Sequence, residues 1–126
     1  TADAEAMGKD IEELGRTVIN GLMFEHDKAD LMPESAPALA EAAKVLEAMP
    51  DKSFYVVGHT DSSGTYAYNF KLSSDRALSV VNALVADYGV ETDRLQPVGV
   101  GPVSPVFTNA SDGGKEKNRR VELVEK

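Results

Sequence analysis

Apolar residues recur along this chain with two different periods, and the periods predict an alternation of helices and strands. Helical spacing indicates three helices, whereas short runs rich in β-branched and aromatic residues indicate four strands. The predicted helices are 3–16, 35–49 and 66–88, and the predicted strands are 17–24, 53–58, 95–100 and 119–125. We expect polar loops between them, the longest over 101–117, where Gly113 and Gly114 indicate a mobile tip.

Individual residues refine this pattern. Gly89 is typical of the residue that ends a helix, and Pro97 favours an edge position for its strand because proline lacks the N–H that a ladder needs. The strand at 53–58 is apolar on both faces, which suits an interior position. On the third helix the pattern predicts a buried stripe formed by Phe70, Ala77, Val81, Leu84 and Tyr88.

The order of the elements predicts the fold class. Two helices that each connect consecutive strands imply some parallel pairing, and the last two strands add an antiparallel element. We therefore predict an α/β two-layer sandwich, with a mixed parallel and antiparallel four-stranded sheet and the helices packed on one face.

Composition limits the possible partners. The 126 residues carry a net charge of −8 and no cysteine, which argues against nucleic acid, a polybasic membrane contact, disulfides and thiol chemistry. No apolar run is long enough for a membrane-spanning helix. We expect a soluble domain taken from a larger protein, with 1–17 as a flanking helix or linker and 18–126 as the domain.

The densest cluster of polar residues follows the second predicted strand. It runs from Gly58 to Gly64 and includes Asp61, while Arg76 shares one face of the next helix with Asn69 and Leu72. An acid and an arginine held near each other would bind a zwitterion, because the carboxylate takes an ammonium and the guanidinium takes a carboxylate. Spacing leaves a structural alternative open, in which Asp61 caps its loop or helix and Arg76 pairs with Asp61 or Asp75.

Two enzymatic interpretations are weaker. His26, Asp27, His59 and Asp61 could be imagined as ligands of one metal ion, with a hydrolase centred on His59 and Asp61, but the chain has no HxH or HxxxH spacing. The serines near Asp61 have no recognisable His–Asp relay for nucleophilic catalysis.

Several separated motifs occur along the chain in an order that resembles the OmpA-like C-terminal domain family. This family includes peptidoglycan-associated lipoproteins and the periplasmic part of flagellar stator proteins. The resemblance covers about 18–126. It rests on Gly58-His59-Thr60-Asp61, Gly64, Asn69, Leu72-Ser73, Arg76-Ala77, Asn118-Arg119-Arg120-Val121-Glu122, the segment 23–33, and Gly99, Gly101 and Pro105.

The resemblance implies a non-enzymatic, cofactor-free domain that binds peptidoglycan through the meso-diaminopimelate of its stem peptide. It implies a periplasmic location and a parent protein attached to the outer membrane. Asp61 would take the ammonium and Arg76 the carboxylate, while Leu72 would form an apolar wall. The implied ligand-binding residues are His26, Asp27, Thr60, Asp61, Asn69, Leu72, Arg76 and Arg119.

At His26 the family often carries an aromatic residue, so the contact expected there is one from the backbone. Two other functions stay open from the sequence. The domain could bind a protein partner in the envelope without binding the wall, or it could be the metal-dependent hydrolase described above.

Overall fold

A four-stranded sheet with helices packed against it forms the framework of the computed structural model, which describes residues 2–126. The helices are α1 (Ala4–Leu14), α2 (Ala36–Ala48), α3 (Tyr66–Tyr88) and α4 (Asp112–Asn118). The strands are β1 (Arg16–Val18), β2 (Phe54–His59), β3 (Leu95–Gly99) and β4 (Arg120–Glu125). None of the helices in the described residues is both long and apolar enough to span a bilayer.

The strand order β1-β4-β2-β3 confirms the mixed sheet. Strand β2 pairs in parallel with β3, and β4 pairs antiparallel with both β1 and β2. Strand β3 lies at an edge, as Pro97 predicted, because proline offers no N–H to a further strand. The predicted α/β two-layer sandwich is therefore correct.

The main core lies between one face of this sheet and the first three helices. Alternate residues of β2 and β4 point into it, and α3 packs against both β2 and β3. Burying these side chains stabilises the fold by about 1.5–3 kcal/mol for each large aliphatic or aromatic residue. Fully buried members include Ile11, Leu46, Phe54, Val56, Val80, Leu84 and Leu123.

Helix α1 contributes to the same core. Met7 and Ile11 are buried, and Ala4 N donates a hydrogen bond to the side chain of Glu41 on α2 at 3.1 Å. Gly15, in the left-handed conformation, ends the helix. The segment predicted as a flanking piece thus packs closely against the rest of the chain, while the division of the parent protein at residue 18 stays a prediction.

The first strand is shorter than its sequence pattern predicted. It ends at Val18, and the chain then turns at Gly21, which has a φ of 96° that side chains disfavour. Phe24, predicted to lie in that strand, instead forms an isolated bridge with Leu31. The prediction failed because apolar residues on both sides of the turn continued the β-like pattern.

Two further predictions were wrong. Phe70 is 45% exposed rather than buried on α3, because the helix directs Asn69 and Ser73 toward the sheet instead. The segment predicted as a continuous loop over 101–117 contains α4, whose first turn is capped when Gly114 N donates to Ser111 Oγ. By contrast, α3 has the predicted bounds.

Helix α3 crosses the sheet at unusually short range, because glycines face it. A Cβ on Gly58 would overlap the carbonyl oxygen of Ser73, and one on Gly99 would overlap Ser74. Ser73 also accepts a hydrogen bond from Gly101 N at 2.9 Å. These contacts fix the first half of α3 relative to the end of β2.

A buried charged cluster occupies the opposite face of the sheet. Arg120 Nε donates to Glu122 Oε2 at 2.6 Å, and His59 Nε2 lies 3.6 Å from the same oxygen. Arg16 Nη1 approaches the other oxygen of Glu122 at 3.7 Å. Burial, reinforced by the positive charge of Arg120, lowers the pKa of His59 to about 4, although Glu122 opposes this shift.

We expect Gly58→Ala to lower the free energy of unfolding by at least about 2 kcal/mol, because a methyl group there must displace backbone of α3. Chemical denaturation measures this change. Gly113→Ala is the matched control, since a Cβ at Gly113 meets no atom within 4 Å and alanine favours the helix. Equal stability of the Gly58 variant and wild type would contradict the close approach.

We also expect stability to depend on His59 between pH 6.5 and pH 4. The folded-state pKa lies below the ordinary one, so across this range the unfolded chain binds a proton that the folded chain does not. The free energy of unfolding should fall by up to about 3 kcal/mol from this residue as the pH decreases.

Denaturant titrations across that pH range check this prediction. His59→Gln should flatten the pH dependence. Identical slopes for wild type and His59→Gln would show that His59 does not carry the effect.

Candidate functional site

A large groove opens where β2 ends, bounded by the loop 60–65, the first half of α3 and the loop 25–28. Its volume is about 1210 Å³. The ends of strands are common ligand positions in open sheets with helices between the strands. All the ligand-binding residues implied by the sequence motifs line it: His26, Asp27, Thr60, Asp61, Asn69, Leu72, Arg76 and Arg119.

Asp61 is the buried acid of the groove, with 9% of its surface exposed. Its Oδ1 accepts a hydrogen bond from Ser63 N at 2.7 Å, and its Oδ2 accepts one from Arg119 Nη1 at 2.6 Å. Burial acts to raise the pKa of Asp61, but the hydrogen bonds from Ser63 and Arg119 outweigh it and lower the pKa below its ordinary value. The carboxylate is therefore ionised at neutral pH.

The loop that carries Asp61 is held from several sides. Asn69 Nδ2 donates to the carbonyl oxygens of Ser63, at 2.8 Å, and of Asp61, at 3.4 Å. Thr60 N donates to Gly101 O at 3.0 Å, and Thr60 Oγ1 donates to Asp61 O at 2.8 Å. The side-chain donors of Asn69 and Thr60 thus fix the shape of the loop that carries Asp61.

Arg76 reaches the groove from α3 and is fixed by the neighbouring loop. Its Nε donates to Lys28 O at 2.8 Å, its Nη2 donates to Glu25 O at 3.5 Å, and its guanidinium lies 4.8 Å from the ring centroid of Phe24. Burial lowers its pKa from the ordinary value, and Arg119 acts in the same direction. Arginine stays protonated nonetheless, and Nη1 makes no hydrogen bond within residues 2–126.

Asp61 and Arg76 line one groove without bonding to each other. Arg76 does not pair with Asp75 either, because Asp75 accepts a hydrogen bond from Lys71 Nζ at 2.7 Å. The structural alternative, in which Arg76 pairs with Asp61 or Asp75, is therefore wrong about the partners of Arg76. Asp61 does cap its own loop, as that alternative proposed, but the residue that caps α3 is Thr65.

The loop 25–28 presents His26 and Asp27 at the rim. Asp27 adopts a φ of 55°, and its Oδ2 lies 3.1 Å from Nε2 of the exposed His26. Tyr68 Oη donates to the carbonyl oxygen of Asp27 at 3.3 Å, which ties this loop to α3. Leu72, half-buried on the same helix, supplies an apolar side to the groove.

The four residues considered as metal ligands have other partners. His59 packs against Glu122 and Arg120, Asp61 pairs with Arg119, and His26 lies beside Asp27 at the surface. Among residues 2–126, no group of three or more His, Cys, Asp or Glu side chains is arranged to hold a metal ion.

Sequence reasoning missed several residues of the groove. Phe24 was predicted to lie in a strand. An aromatic residue next to a predicted loop was the one signal that could have indicated its cation–π contact with Arg76. Tyr68 carried no signal beyond its helical position. Phe107 and Lys117 also line the groove, but they are far apart in a segment predicted as loop, where no periodicity connects them.

The chain is similar to proteins of a known family. The chain matches the model of the OmpA family over residues 23–119. It is 39% identical over 105 residues to "Probable lipoprotein YiaD" of Escherichia coli, covering 83% of this chain and 48% of that protein. It is also 39% identical over 116 residues to "Peptidoglycan-binding protein ArfA" of Mycobacterium tuberculosis, covering 91% of this chain and 35% of that protein.

A solved structure shares the fold over almost the whole chain. The cell wall anchor of the type VI secretion system from Pseudomonas aeruginosa is 30% identical, with a TM-score of 0.74 and coverage of 97% of this chain and 94% of that one. The chain spans less than half the length of the two curated relatives above. The family match and these identities confirm the resemblance drawn from the motifs, and the chain belongs to the OmpA family.

Proposed function

We propose that this chain binds peptidoglycan non-covalently through the meso-diaminopimelate of the stem peptide, and thereby anchors an envelope protein to the cell wall. The observation that carries the proposal is the combination of one ionised, buried carboxylate, Asp61, with the guanidinium groups of Arg76 and Arg119 in a single groove. This combination offers opposite charges to a ligand that itself carries both.

The free end of the diaminopimelate side chain carries an ammonium and a carboxylate on one carbon atom. Asp61 would accept hydrogen bonds from the ammonium, beside the bond it already accepts from Arg119. Arg76 would donate to the carboxylate through Nη1, since Nε and Nη2 are already used. Both contacts join charged groups, which makes them stronger than hydrogen bonds between neutral groups.

The expected free energies of binding are those of reversible attachment. Each hydrogen bond to a charged group contributes about 1.5–3 kcal/mol net, and association costs several kcal/mol in lost freedom. A single domain should therefore bind a single stem peptide weakly to moderately. Several copies on a polymeric wall would gain from the high effective concentration of neighbouring stem peptides.

Preorganisation favours the same interpretation. Asn69 and Thr60 hold the loop of Asp61, while Lys28 O and Phe24 hold the guanidinium of Arg76. A ligand would find both charged groups already oriented, so binding orders few side chains and loses less free energy. None of these roles requires a catalytic group, and we propose a binding module rather than an enzyme.

The relatives support association with the cell wall. One is named as a peptidoglycan-binding protein, another as a lipoprotein, and the structural neighbour as a cell wall anchor. We propose a periplasmic location for this domain, with 18–126 as the wall-binding part and a parent protein attached to the outer membrane.

Retention on purified insoluble sacculi tests the proposal. Wild-type protein should co-sediment and be released by free meso-diaminopimelate. Asp61→Asn and Arg76→Ala should each weaken retention roughly tenfold or more, because each removes one charged hydrogen-bond partner. Lys71→Ala and Asp75→Asn are matched controls on α3, since their exposed ion pair lies outside the groove.

Retention of both groove variants at the wild-type level, with folding verified by thermal unfolding, would contradict the assignment of these residues. A folded wild-type domain that fails to bind sacculi would instead favour a module that binds a protein partner in the envelope.

A further inference from the structure

The groove continues beyond Asp61 and Arg76 to an aromatic residue and a third cation. Lys117 Nζ lies 4.2 Å from the ring centroid of Phe107, and both side chains are exposed and line the groove. Within residues 2–126 Lys117 forms no ion pair with an acid. The volume of about 1210 Å³ exceeds the roughly 300–1,000 Å³ of typical small-ligand sites, so it leaves room for more than the end of one side chain.

The backbone of Phe107 is fixed by hydrogen bonds, although the residue is 51% exposed. The fully buried Asn118 accepts hydrogen bonds from Val106 N at 2.8 Å and Phe107 N at 3.0 Å. Its Nδ2 donates to Phe107 O and to Asn109 Oδ1, both at 2.9 Å. An exposed aromatic ring on a fixed backbone can pack against a ligand with little further ordering, which is typical of binding surfaces.

The pair is continuous with the zwitterion site along the chain. Lys117 lies in the last turn of α4, and two residues later Arg119 donates to Asp61. Glu116, an acid on the same side of the groove, forms no ion pair with Lys117, because successive helix residues point about 100° apart. Lys117 therefore remains available to a ligand.

We propose that Phe107 and Lys117 form a second subsite, which takes the free carboxylate of the D-glutamyl residue next to diaminopimelate in the stem peptide. This inference rests on the proposed function. When D-glutamate is joined through its γ-carboxyl group, its α-carboxylate remains charged. Lys117 pairs with that carboxylate, and the open face of Phe107 packs against the apolar atoms of the peptide.

Calorimetric titration with three probes tests the subsite. The probes are free meso-diaminopimelate, the tripeptide L-Ala-γ-D-Glu-meso-diaminopimelate, and the same tripeptide with the glutamyl α-carboxylate converted to an amide. Lys117→Ala and Phe107→Ala should bind free meso-diaminopimelate like wild type and bind the acidic tripeptide roughly threefold to tenfold more weakly. With the amidated tripeptide, Lys117→Ala should match wild type, whereas Phe107→Ala should stay weaker.

Matched controls lie close by in the chain. Lys115→Ala removes a lysine of the same helix that does not line the groove, and Val103→Ala removes an exposed apolar side chain of the same loop outside it. Both should bind all three probes like wild type. Because Lys117 is exposed, its variant tests the subsite even if Phe107→Ala impairs folding.

The subsite is overturned if Lys117→Ala binds the acidic tripeptide as tightly as wild type, or if it weakens all three probes equally. Asp61→Asn separates this failure from failure of the proposed function. It should weaken all three probes, and if it weakens none, the zwitterion assignment fails and the subsite fails with it.

Discussion

At the end of strand β2 the carboxylate of Asp61 uses one oxygen for the backbone of its own loop and the other for Arg119. These bonds lower the pKa of the Asp61 carboxyl group below its ordinary value, although burial acts to raise it. They also join the loop after β2 to the residue that precedes β4. That connection links two sides of the groove.

The fold places a second charge opposite this carboxylate by close packing. Gly58 and Gly99 lack a Cβ, so the backbone of α3 lies in direct contact with the sheet. This contact fixes the position of Arg76 relative to the end of β2. The chain carries a net charge of −8, yet Arg76, Arg119 and Lys117 all line one groove. The net acidity of the chain therefore does not describe this groove, and the proposed function rests on the local arrangement of a few charges.

Much of this arrangement follows from local sequence. Helix α3 was predicted with its observed bounds because a polar, glycine-bearing segment precedes it, Gly89 follows it and apolar residues repeat between them. The features that depend on contacts between distant parts of the chain could not be predicted from local sequence. Phe70 fits the helical pattern but points to solvent, and α4 contains two glycines that disfavour helix, so its formation depends on capping and on the buried Asn118. The partners of Arg76 are carbonyl groups distant in sequence, which no spacing rule identifies.

Under the proposed function, the groove recognises a carbon atom that carries both an ammonium and a carboxylate. The most direct measurement compares retention of the wild-type domain on sacculi whose stem peptides contain meso-diaminopimelate with retention on sacculi that contain L-lysine at the same position. Lysine keeps the ammonium and lacks the carboxylate, so under the proposed function Arg76 would have no carboxylate to bind. We expect retention on diaminopimelate walls and at least tenfold weaker retention on lysine walls. Equal retention on both walls would contradict it.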